Sequence, residues 1–135
     1  MQKWLHPSLA LTVVAAEDSD GDLFGKVASD LQSNITINEG VISGTLKYIS
    51  DYSAAGFTGD EKSGNFLALK FTPVTGATTT VEVLGGLHGA STLDADGLIV
   101  CRIMNTNQQI KVVTTKNSQS STYIYSLAGL VLQNA

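Results

Sequence analysis

An all-β fold, a single small sandwich or barrel-like domain of antiparallel strands, is what this sequence predicts. Short stretches such as TTTVEVL (78–84) and QIKVVTT (109–115) alternate apolar with polar residues, the period of a half-buried strand. Clusters of Gly, Asn and Asp punctuate them at close spacing, as turns require. Only one stretch, Leu23 to Leu31, carries helical spacing. With 135 residues, 43% of them hydrophobic and 15% charged, the chain suffices for one core and is expected to form one domain over 1–135.

The elements follow in order. Leu9 to Val14 (LALTVV) is expected as the first strand. Met1 to Lys3 ahead of an apolar run imitates a short signal peptide, but Trp4, His6, Pro7 and Ser8 separate the single Lys from that run, which favours the strand. Asp18 to Asp22 reads as a turn with Gly21 in it. Leu23, Val27 and Leu31 then recur at i, i+4 and i+8, enough for one or two helical turns at most, because Gly25 weakens the stretch. From Asn34 onward the pattern is β. Ile35, Ile37, Val41, Leu46, Tyr48 and Ile49 bracket a turn at Asn38-Glu39-Gly40. GTLKYISDY and GNFLALKF, within Gly44–Phe71, flank an acidic, glycine-bearing loop, and Pro73 ends the second strand. Thr78 to Leu84 stops at Gly85-Gly86; a turn at Asp94–Gly97 introduces LIVCRIM; Asn105 to Asn107 leads into QQIKVVTTK. The last strand, expected over Thr122 to Leu132, carries Gly129 as a bend or bulge.

Composition narrows the function classes. A net charge of −4 with no Lys or Arg cluster argues against nucleic acid, and Lys111 and Lys116 fall on the exposed side of an alternating strand. No apolar stretch has the length of a membrane span. The single cysteine, Cys101, rules out a disulfide within the chain; inside LIVCRI it reads as a small core residue, with Arg102 on the opposite face.

Three motifs suggest chemistry and fail on their details. Asp18, Asp20 and Asp22 are spaced like the start of a calcium loop, but the sixth and twelfth positions hold Leu23 and Ser29 where glycine and a bidentate acid belong. A surface turn is the better reading, as it is for Asp94-Ala-Asp96-Gly97. GFTGDEKS (56–63) approaches a phosphate loop, yet Glu61 replaces the second glycine and a strand follows instead of a helix. No nucleophile elbow is present. His6 and His88 stand apart in sequence without local partners, so neither a catalytic residue nor a metal ligand is assigned, and no cofactor is expected. Among the aromatics, Tyr52 and Phe57 lie in the acidic loop and are expected as surface contacts, aromatic rings being favoured at interface centres.

Several segments resemble the small head fiber proteins that decorate tailed-bacteriophage capsids. The carrying residues are GTLKYISDYSAAGF and SGNFLALKF (44–71), TTVEVLGGLHG (79–89), TLDADGLIVCRIMNTNQQIKVVTT (92–115) and YSLAGLVL (125–132). The resemblance covers most of the chain from about Gly44. It implies a non-enzymatic virion component on the capsid exterior, assembled in the host cytoplasm, with the major capsid protein as partner and homotrimers suited to local three-fold positions. Neither a coiled-coil nor a collagen-like shaft is present, which favours a compact knob over a projecting fiber. Residues 1–14, with Trp4, His6 and Pro7 before the first strand, are the expected docking arm. The alternative is an immunoglobulin-like adhesion or carbohydrate-binding module. An enzyme of the small β-barrel hydrolase kind would need His88 and an acidic residue to converge in a concave pocket.

Overall fold

Alternation along the chain lays down ten strands and one helical turn in the computed structural model, which describes residue 9 and residues 11–53 and 56–135. They are β1 (Thr12–Ala15), α1 (Ala28–Leu31), β2 (Gln32–Asn38), β3 (Val41–Leu46), β4 (Tyr48–Ile49), β5 (Gly64–Thr72), β6 (Thr78–Leu84), β7 (Ser91–Thr92), β8 (Leu98–Ile103), β9 (Gln109–Lys116) and β10 (Gln119–Leu132). The expected all-β class is what forms.

The strands make two sheets. In the smaller, β5 is central: β1 and β4 share one of its sides and β8 takes the other, all antiparallel. The larger runs β2-β3-β10-β9-β6-β7, and only its β3–β10 pair is parallel. Lys47 separates β3 from β4 and lets the chain step from one sheet to the other, its N–H donating to the Leu31 carbonyl at 2.8 Å.

Two apolar layers result. Between the sheets, Ile42, Leu67, Leu69, Phe71, Ile103, Ile110, Val112 and Leu127 form the main core. The other face of β5 carries Phe66 and Ala68, and the segments around 16–31 and 49–53, together with Phe57, fold over them through Leu23, Leu31, Tyr52 and Phe57. This second layer explains why β5 reads FLAL where a sheet with one wet face would alternate: both its faces are buried.

One side of β5 has a gap. β1 pairs with Leu69 to Thr72 and β4 with Gly64 and Asn65, which leaves Ala68 between them. The buried Gln32 side chain fills it. Its Oε1 accepts from the Ala68 N–H at 2.9 Å and its Nε2 donates to the Ala68 carbonyl at 3.0 Å, the pattern a neighbouring strand would have made. Asn65 ties the sheets together in a similar way, its Nδ2 donating to the Leu46 carbonyl at 3.2 Å and to the Gln133 carbonyl at 2.9 Å.

Three expectations change. The first strand starts at Thr12, not Leu9. The helical spacing at 23–31 is largely a turn: Leu23 and Lys26 exchange backbone hydrogen bonds at 2.8 and 3.2 Å around Phe24 and Gly25, both at positive φ. Leu23 and Leu31 are buried but Val27 is exposed, and only Ala28–Leu31 is helical. The last strand begins earlier, at Gln119, because Asn117 and Ser118, at φ 51° and 67°, close a two-residue hairpin without glycine. The hairpin at Glu39-Gly40 and the irregular pairing between Ser126 and Gly129 occur where turn and bulge are expected.

Cys101 faces the main core, and burial pushes its thiol up to about 12. Since the thiolate is the nucleophile, a disulfide reagent at pH 8 should label the folded protein roughly a thousandfold more slowly than the unfolded chain. Equal rates in buffer and in denaturant would show that the strand opens readily.

Candidate functional site

The edge of β8 and the facing β6 do not close against each other, and a hollow of about 150 Å³ opens between them. Val81 and Val83 of β6 form one wall, and Ile99 to Arg102 of β8 the other. Two loops roof it. The first brings Phe57 and then Glu61, which sits on a 3-10 turn, Gly59–Lys62, opened by the Glu61 N–H donating to the Thr58 carbonyl at 3.1 Å. The second leaves β6 through Gly85-Gly86 and brings His88.

The two loops meet at His88. Its Nε2 lies 2.6 Å from Glu61 Oε2, an ion pair whenever the imidazole carries its second proton. That oxygen is buried and takes no hydrogen bond, so the imidazole is its close polar neighbour. The ring is held by aromatic contacts in series: His88 stands edge-on to Phe57 at 5.1 Å, Phe57 packs on Phe66 at 5.3 Å, and Phe66 meets Tyr52 edge-on at 4.7 Å. Arg102 anchors the loop from below, donating through Nε and Nη2 to the Ser63 carbonyl at 3.1 and 2.9 Å.

A carboxylate beside an imidazole can orient it for proton transfer. Among the described residues the hollow supplies no activated nucleophile to accompany it, since burial keeps the Cys101 thiol protonated against the main core. Among the described residues no three His, Cys, Asp or Glu side chains group as metal ligands.

Tyr52 and Phe57, expected at the surface, are buried. The outer face of β5 would leave Phe66 wet without cover, and the loop folds its two rings onto it. Tyr52 donates its hydroxyl to the Leu23 carbonyl at 3.0 Å, and burial, followed by the charge of Asp22, pushes that hydroxyl up to about 12. Trp4, His6 and Pro7 lie outside the described residues.

The three acids that imitate a calcium loop each have a protein partner. Asp18 accepts from the Ser29 N–H and hydroxyl at 2.7 and 2.9 Å. Asp20 accepts from Lys70 at 2.8 Å and from the Glu17 N–H, bonds that hold its carboxyl below the ordinary range. Asp22 accepts from the Gly25 N–H. Asp94 caps its own turn, accepting from the Asp96 N–H at 3.0 Å. Glu61 is the residue that sequence reasoning passed over: its only signal was a carboxylate in place of a glycine, with His88 far along the chain.

No family model, curated protein or solved structure matches this chain. Among the described residues no helix is long and apolar enough to cross a membrane.

Proposed function

We propose that this domain is a non-enzymatic structural module that binds the outer surface of a tailed-phage capsid, as a head fiber or decoration protein, with the major capsid protein as its partner. The observation that carries the reading is the outward face of the larger sheet. It is broad and poor in charge: Thr36, Asn38, Ser43, Thr45, Thr80, Thr122 and Ser126 alternate with inward core residues, and Glu82 and Lys111 stand opposite each other in register. Val41, Ile124 and Val131 are exposed on it. Such a face suits contact with a repetitive lattice, where many weak engagements add through avidity. The head-fiber resemblance from Gly44 onward supports the same reading.

Co-sedimentation with undecorated capsids tests it. The protein should pellet saturably, and Ile124→Glu with Val131→Glu should weaken pelleting at least about tenfold while the circular dichroism spectrum is unchanged. Failure of the unaltered protein to pellet sinks the reading. A chain lacking Met1 to Ser8 that pelleted normally would remove the docking arm alone.

A second reading, the small β-barrel hydrolase, keeps one observation in its favour: His88 and Glu61 do converge in a concave hollow. A His88→Ala chain that pellets as well as the original assigns capsid binding to surfaces other than that hollow. The carbohydrate-binding alternative loses the stacking platform expected of Tyr52, which is enclosed.

A further inference from the structure

The two loops that roof the hollow are held in unequal ways. The loop with Glu61 is pinned along its length. Its Glu61 N–H donates to the Thr58 carbonyl, its Lys62 carbonyl accepts from the Tyr52 N–H at 2.7 Å, and Arg102 of β8 holds its Ser63 carbonyl. Phe57 is buried against Phe66 beneath it.

The loop with His88 lacks such ties. The Gly86 N–H donates to the Val83 carbonyl at 3.1 Å as the chain leaves β6, and the two-residue β7 fastens the far end through Ser91 opposite Val81. Between these points, among the described residues, Leu87, His88, Gly89 and Ala90 make no backbone hydrogen bond. All four are exposed, Leu87 to 68%. Glycines stand at both ends of the stretch. Gly85 takes a φ of 82°, and a Cβ added at Gly89 would meet nothing within 4 Å. What holds the loop down is therefore the His88 ring, through its 2.6 Å approach to Glu61 Oε2 and its edge-on contact with Phe57. That hold is finely balanced. The Glu61 oxygen is buried without a hydrogen bond while the loop is down, and it regains water when the loop lifts.

We propose that residues 85–90 form a lid over the hollow, latched by His88 on Glu61 and hinged at Gly85-Gly86 and Gly89. Lifting the lid uncovers the walls of the hollow at Val83, Ile99 and Cys101 to small solutes while both sheets stay paired. The Glu61 loop is the fixed catch and the His88 loop the part that moves. Access to the hollow thus depends on one side-chain contact, separate from the outward face of the larger sheet.

Labelling of Cys101 by a small disulfide reagent at constant pH 8 reads the opening, because the thiol lies on a wall of the hollow and is buried while the lid is down. In the unaltered protein the labelling rate should be nearly independent of urea below the unfolding transition, since lifting six residues exposes little surface. A rate that rises with the full urea dependence of global unfolding overturns the proposal. His88→Ala and Glu61→Ala should each speed labelling at least tenfold with the urea midpoint little changed. The double variant should label no faster than the quicker single one, because both changes release the same latch. Unchanged labelling in the two single variants, acceleration only in proportion to lost global stability, or effects that multiply in the double variant would each overturn it. Should a variant misfold, the urea dependence of labelling in the unaltered chain decides alone.

Discussion

Phe66→Ala should lower the unfolding free energy by about 3–5 kcal/mol in urea titrations, the range for emptying a buried aromatic site. Phe66 is fully buried and is the ring on which both Tyr52 and Phe57 pack. Its removal leaves a cavity under the loop that carries Glu61 and loosens the series of rings that ends at His88. The effect should thus extend to the roof of the hollow, as faster amide exchange over 57–62. Ile124→Ala, on the exposed face, serves as the comparison and should change stability by less than about 0.5 kcal/mol. A Phe66→Ala loss below about 1 kcal/mol would mean that the second apolar layer contributes little to the folded state.

The next largest effect belongs to Gln32→Leu, expected to cost about 1–3 kcal/mol although it places an apolar residue in a buried position. Leucine fills much of the volume but leaves the Ala68 N–H without its acceptor, and a buried unpaired donor carries the full desolvation penalty. Its carbonyl keeps a second donor, the Ala16 N–H at 3.1 Å, so the N–H is the vulnerable group. Gln32→Ala should cost at least as much. If leucine were within about 0.5 kcal/mol of the original while alanine was not, packing rather than hydrogen bonding would explain the conservation of stability at this site.

How much of this could be read from the sequence depends on the range of the interaction. The strands at 78–84 and 109–116 are legible because alternation is a local consequence of one dry face. The turns at Glu39-Gly40 and Asp94–Gly97 are legible because their residue types satisfy local backbone needs. The 23–31 stretch misleads for the same reason: an i, i+4, i+8 spacing counts burial without regard to the path between, and Phe24-Gly25 reverses the chain. Tyr52 and Phe57 were misplaced because a loop's aromatics look alike whether they meet solvent or a second face of the sheet. The clue was in β5, whose unbroken FLAL needs cover on both sides. Gln32 gave no signal, since a polar residue opening a strand is ordinary until its amide is seen to stand in for a backbone neighbour. The His88–Glu61 contact joins two loops that neither periodicity nor spacing relates.

The parallel pairing of β3 with β10 bears on how the protein is made. Val41 takes its place beside Ser126, and Leu46 beside Leu132, so an early strand cannot complete its ladder until the distant β10 has been synthesised. β3 up to that moment has only β2 as a partner, and its apolar face waits for β10 residues that are synthesised much later. Pairings so distant in sequence close slowly and expose unmatched strands meanwhile. The larger sheet should therefore assemble only after β10 has emerged, and nascent chains stalled ahead of Tyr125 should remain protease-sensitive.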